Sequence, residues 1–258
     1  MKMKYHQKKT YFKAHWIGVE WQVDHAGEMN KYYAFRKECN LQHAIEKAFI
    51  RITADSRFML FVNGNYVGRG PARCFPEKQA FETYDIGRFL SKGANCVAVL
   101  VHRFGTSTGQ YINRGRTGLL VYGEIELADG KQKIIKTDLS WKVKEADWYI
   151  STTNRYTSQM GFQEIVNFNA YNKDWLKAGF DDEKHDWKQA YFIGPVGIHP
   201  WINLEPSGLK HLVEESIEGK YCFSALTKAA EKIGLTDNII NYRIPSYRDR
   251  KCQIQRNG

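Results

Sequence analysis

Between residues 31 and 145 the chain is written as short apolar runs cut by turn dipeptides, a punctuation that points to antiparallel sheet. The run RFMLFV (57–62) stops at Asn63-Gly64; Tyr66 and Val67 open a return run, and Gly68, Gly70 and Pro71 close it. An Asn-Gly pair accepts the positive φ angles of a tight hairpin, so the segment reads as two paired strands. GLLVYGEIEL and KQKIIK flank Asp129-Gly130 in the same way, and a type I′ turn is expected there. KYYAFRKECNL reads as a strand, and EKAFIRITAD sets Phe49, Arg51 and Thr53 against Ile50 and Ile52. RFMLFV and NCVAVLVHRF are apolar on both faces, as central strands are. Glu124 and Glu126 alternate along one arm and are expected to face water together rather than to form a catalytic pair. LQHAIEKA leaves two readings open, a helical turn or two and a strand edge. DWLKAGFDDEKHDWKQAYFIGPVG reads as a loop, a short helical turn and a strand. Many short strands with little helix between them indicate an all-β antiparallel sandwich or jelly roll, not a βαβ sheet.

The remaining composition agrees with a folded β protein. At 258 residues and 43% hydrophobic the chain can bury one large core or two small ones. Its 14% aromatic content suits pleated surfaces better than a helical bundle. The five cysteines, Cys39, Cys74, Cys96, Cys222 and Cys252, have no C-x-x-C spacing, so free thiols are expected rather than a zinc knuckle or a disulfide framework. The basic opening is followed by no apolar run of a secretory signal, and no bilayer-length apolar segment occurs, so a cytoplasmic protein without a membrane partner is expected. The net charge of +10 raises nucleic acid as a partner. The excess is local, however: residues 1–13 hold five Lys and no acid, and residues 66–116 hold eight Lys and Arg against Glu77, Glu82 and Asp85. No recognition motif accompanies it, so a basic nucleic-acid-binding protein ranks last among the readings.

Several chemistries are excluded by spacing. Gly64, Gly68 and Gly70 make neither G-x-x-x-x-G-K-[ST] nor G-x-G-x-x-G, and no helix pattern follows to hold a phosphate. The eight histidines never pair at metal-ligand spacing, and G-x-S-x-G is absent. Glycoside hydrolysis needs two carboxylates facing one another across a cleft. Asp181, Asp182 and Glu183 are the densest acidic cluster, and beside Gly179 they are expected to cap or start a turn.

Four phrases in order carry a family resemblance: ADSRFMLFVNGNYVGRGPAR, FETYDIGRFLSKGANCVAVLVHRFG, GLLVYGEIELADG with TDLSWKV, and GFDDEKHDWKQA. Together, from about Trp16 to Glu215, they resemble the N-terminal β-sandwich region of bacterial α-L-rhamnosidases, and the wider galactose-binding-like jelly rolls of glycoside hydrolases. The resemblance implies that the acid and base of an inverting hydrolysis sit in an α/α barrel downstream. This chain is then truncated before that barrel and inactive alone, and no catalytic residue is assigned. It further implies a carbohydrate site on the loops at one end of the sandwich. The loop HRFGTSTGQYINRGRTG offers Gln110, Tyr111, Arg114 and Arg116, and Asp55, Arg69 and Arg73 join it if the strands order as in the family. No cofactor or metal is assigned from the residues; calcium enters through the resemblance alone.

The expected organisation is a basic tail at 1–13 and a sandwich at 14–206, with an inserted or second small lobe around 146–200 left open. Residues 207–258 read as a linker and the incomplete start of a following domain, with helical spacing in FSALTKAAEKIGL. The leading functional expectation is a noncatalytic N-terminal portion of an α-L-rhamnosidase-like glycoside hydrolase, its partner a rhamnose-containing glycan or the catalytic barrel. A free-standing carbohydrate-binding module is the alternative.

Overall fold

A strand that is apolar at every position needs cover on both faces, because successive side chains point to opposite sides. That requirement shapes the architecture in the computed structural model, which describes residues 13–20, 28–75, 77–155 and 157–215. The helical spacing at 223–235 and residues 1–12 of the basic tail lie outside the described residues.

Thirteen strands are described: β1 (His15–Gly18), β2 (Lys31–Leu41), β3 (Ile45–Asp55), β4 (Arg57–Val62), β5 (Asn65–Gly70), β6 (Gln79–Asp85), β7 (Gly93–Arg103), β8 (Gly118–Leu127), β9 (Gln132–Lys136), β10 (Lys142–Glu145), β11 (Lys188–Gln189), β12 (Tyr191–Pro195) and β13 (Leu204–Pro206). They form two sheets. One runs β12-β1-β8-β3-β6-β13, with β9 also paired to β8; the other runs β11-β10-β2-β7-β4-β5. All pairings are antiparallel except the parallel contact of β13 with β6. Short 3-10 turns occupy Gly87–Phe89 and Lys173–Leu176.

The sandwich core lies between the sheets. Ile50, Ile52, Leu119 and Val121 from one sheet meet Tyr33, Phe35, Val97, Val99, Phe58 and Leu60 from the other. Each Val, Leu, Ile or Phe among them contributes about 1.5–3 kcal/mol on burial. The opposite faces of β2, β4 and β7 carry Tyr32, Ala34, Phe61, Cys96, Ala98 and Leu100, and these pack with Trp148, Trp175 and Trp187 from the segment after β10. The both-faced apolar strands are therefore explained by a third layer. Arg36, 1% exposed, points into it from β2 and pins its edge: Nε donates to Trp175 O at 3.0 Å, Nη2 to Lys177 O at 2.7 Å and Nη1 to Asp182 Oδ1 at 2.5 Å. The acidic cluster thus makes a turn as expected, Asp181 Oδ1 accepting Lys184 N–H at 3.0 Å, and also neutralises a buried guanidinium. A smaller cluster on the outer face of the first sheet stacks Trp16 on Trp201, centroids 3.9 Å apart, over Leu120.

Of the two hairpin readings, one holds in detail. Asn63 at φ 50° and Gly64 at φ 81° both lie in the left-handed region, and β4 pairs with β5 through them. At the second turn only Gly130, at φ 79°, does. There the loop is Ala128-Asp129-Gly130, closed by Gly130 N–H to Leu127 O at 2.8 Å and Leu127 N–H to Lys131 O at 2.9 Å. A three-residue loop needs positive φ at its glycine alone, so the type I′ expectation is corrected. The open reading of LQHAIEKA resolves as strand edge: β3 begins at Ile45, opposite Leu127. Glu124 faces outward and meets Arg51 at 2.9 Å on the sheet surface, as its alternation predicts.

Candidate functional site

At one end of the sandwich the chain crosses from β3 to β4, and the residues at that crossing meet the loop after β7. Asp55 ends β3, Arg57 begins β4, Arg73 and Cys74 follow β5, Gln79 begins β6, and Gln110 to Arg114 belong to the loop. They surround an open, shallow depression lined by, among others, Ser56, Arg57, Arg73, Gln110, Tyr111 and Arg114.

The floor is a polar network. Asp55 is 0% exposed, yet its carboxylate is well supplied: Trp201 Nε1–H donates to Oδ2 at 2.8 Å, the Tyr111 hydroxyl donates to Oδ1, and Arg114 Nη1 lies 3.3 Å from Oδ2. Burial pushes the Asp55 carboxyl up from its ordinary range, against the pull of Arg114, Tyr111 and Trp201. Burial and the neighbouring Asp55 push the Tyr111 phenol up, so its hydroxyl stays protonated as a donor. Gln79 orients Arg114: its Nε2 donates to Thr53 Oγ1 at 2.8 Å and Ala54 O at 3.3 Å, which turns Oε1 toward Arg114 Nη1. Arg114 Nη2 completes the clamp with Phe75 O at 3.1 Å and Cys74 Sγ at 3.5 Å. Arg57 Nη1 donates to Pro71 O at 2.7 Å, fixing the start of the segment that carries Arg73.

The structure brings together five of the seven residues picked from the sequence. Arg73, Gln110, Tyr111 and Arg114 line the depression. Asp55 lies beneath it, shut off from solvent, so it holds the lining in place and does not itself reach a ligand. Arg69 and Arg116 are not among the lining residues: Arg69 sits on exposed β5, and Arg116 Nη1 donates to His199 O at 3.1 Å. Sequence reasoning missed Arg57, Cys74, Gln79 and Trp201. Arg57 lies inside the hairpin phrase, where its pattern is that of a strand; Trp201 is 146 positions from the carboxylate it binds, and no local pattern links them.

The lining contains no Asp or Glu, so the depression offers neither acid nor base for splitting a glycosidic bond. Among the described residues no group of three or more His, Cys, Asp and Glu converges to hold a metal ion. The oxygen-rich cage that calcium takes does not fit this arginine-lined site either.

Residues 43–196 match the family model of the alpha-L-rhamnosidase N-terminal domain. Among solved structures, a GH78 family rhamnosidase of Bacillus sp. GL1 is similar at 38% identity and TM-score 0.65, over 76% of this chain and 20% of that one. An alpha-L-rhamnosidase from Dictyoglumus thermophilum matches at 19% identity and TM-score 0.59, over 77% of this chain and 22% of that one. An alpha-L-rhamnosidase from Streptomyces avermitilis matches at 21% and 0.51, over 76% and 16%. The last two likenesses speak to the fold alone. This chain spans about a fifth of the length of the first two structures. A search of curated proteins found no match.

Proposed function

The chain belongs to the alpha-L-rhamnosidase N-terminal domain family, and from that premise we propose that it is a noncatalytic portion of an α-L-rhamnosidase-like glycoside hydrolase that helps shape the carbohydrate cleft. The observation that carries the reading is the lining of its depression, which presents guanidinium, amide and phenol groups and no carboxylate. Such groups hydrogen-bond vicinal hydroxyls and orient a sugar, but inverting hydrolysis requires an acid and a base about 6.5–9.5 Å apart. In this role Arg73, Gln110 and Tyr111 meet the glycan, with Arg114, Asp55 and Gln79 holding them from below. The partners are a rhamnose-containing glycan and the catalytic barrel beside it. Free thiols at Cys39, Cys74 and Cys96 are compatible with a reducing cytoplasm.

The purified chain incubated with an aryl α-L-rhamnoside tests the division of labour. No release of the phenol above the uncatalysed rate is expected. Sustained turnover that survives repurification would place an acid and a base in this molecule and overturn the proposal.

A further inference from the structure

Charge around the depression does not balance. Arg57, Arg73 and Arg114 all line it. The acid beneath them, Asp55, is enclosed and already committed to Arg114, Tyr111 and Trp201. Arg57 is partly buried, and among the described residues it has a carbonyl partner, Pro71 O, but no acidic one. Burial accordingly lowers the affinity of its guanidinium for the proton, the sign of a cation lacking a counter-charge. Arg73 is exposed, and its side chain bonds no described residue. The Arg114 side chain is 5% exposed, and its Nε is a buried donor without a partner. A half-desolvated cluster of this kind is held at a cost that an anion would remove.

Neutral groups share the rim. Gln110 is exposed, and Tyr111 lines the wall. An inorganic anion makes no use of an aromatic face, whereas a pyranose does, through its C–H face, while its hydroxyls pair with an amide. A planar guanidinium fork matches a carboxylate bidentately, and a neutral sugar leaves that fork half used. We propose that the depression binds the carboxylate of an acidic sugar, a uronic-acid residue of a glycan, with Arg57 and Arg73 on the carboxylate and Gln110 and Tyr111 on the ring. The proposal rests on the reading above that this domain meets carbohydrate, and it adds the charge class of that carbohydrate.

The test uses the full chain at fixed ionic strength, titrated calorimetrically with methyl glucuronide, its methyl ester, L-rhamnose and sodium sulfate. Saturable binding of the glucuronide is expected, with the ester, rhamnose and sulfate far weaker. Arg73→Ala should weaken it about tenfold, the worth of one charge-assisted contact. Lys133→Ala, which removes the same charge from exposed β9, should leave it unchanged. Bound glucuronide should also slow maleimide labelling of Cys74, read on its own peptide by mass spectrometry. Equal affinity for rhamnose or the ester overturns the acidic class while leaving a carbohydrate role intact. Equal affinity for sulfate overturns the sugar. Binding that ignores Arg73→Ala overturns the location, and absence of any binding overturns the site. None of these outcomes touches the assignment of catalysis elsewhere, which the rhamnoside assay decides.

Discussion

Asp55 shows what a single residue decides here. It is the last residue of β3, placed where the sandwich core gives way to loops, and its side chain has no exposed surface. Three donors from distant parts of the chain, Tyr111, Arg114 and Trp201, converge on it. Its place in a strand phrase was legible, while its association with the loop after β7 was implied by the family resemblance alone. Its role as the enclosed hub was not, because burial depends on Trp201 folding back over it, and nothing near residue 55 announces that. Removing the carboxylate leaves the Arg114 cation buried without its counter-charge, a change worth about 3–5 kcal/mol. Asp55→Ala should therefore unfold in urea at a clearly lower midpoint, by about that free energy. Asp55→Asn keeps one acceptor oxygen for Trp201 and sets an amide donor against the rotatable Tyr111 hydroxyl, and should lose less. A pair of variants both within about 0.5 kcal/mol of the parent, the range of an ordinary surface change, would show that the network does not hold the site.

The hairpin of β4 and β5 carries Arg57 at one end and delivers the chain to Arg73 at the other, so its register sets the width of the depression. Local chemistry made this element the easiest to read: Asn63-Gly64 is a turn on its own terms. Less visible is the clamp between the turn and the rest of the sheet. Asn63 Nδ2 donates to Phe89 O at 2.9 Å and Asn95 Oδ1 at 2.8 Å, and Cys96 N–H donates to Asn63 Oδ1 at 2.8 Å. Asn95, itself 0% exposed, is tied to Ser91 and Gly93 at the entrance to β7. Asn63→Ala gives up these bonds and places a β-carbon-bearing residue without a polar side chain at φ 50°, a combined cost of about 2–4 kcal/mol. Amide hydrogen exchange should then rise across Asn65–Gly70 and at Cys96 more than along β3 and β8. A uniform rise in every strand would mean that the turn only adds global stability and does not hold the hairpin in register. Asp129-Gly130 marks the limit of such reading. The dipeptide announces a hairpin, but the loop length that selects the turn type comes from the pairing of Glu126 with Gln132.

At the scale of the whole molecule, β7 belongs to two cores at once. Val97, Val99 and Val101 face the sandwich, while Cys96, Ala98 and Leu100 face the layer of Trp148, Trp175 and Trp187. The sequence showed a strand buried on both sides but not what covered its second face, since the tryptophans come from irregular segments and one short 3-10 turn, with no periodicity to flag them. The segment around 146–200, where the sequence left an inserted or second small lobe open, supplies the tryptophans of the third layer, with Arg36 pinning its edge. A strand shared between two cores couples them, because opening either one exposes apolar surface on β7 and leaves the other with an uncovered partner. Cys96 is a native reporter of that coupling. It is 0% exposed, and burial pushes its thiol up to about 11, so it does not react with a thiol reagent while the layer is closed. Peptide-resolved labelling of Cys96 across a urea series should therefore rise with the same midpoint as the loss of β-sheet circular dichroism. Labelling that begins well below that midpoint, with the sheets still intact, would show a layer that opens by itself and a domain built as two separable parts.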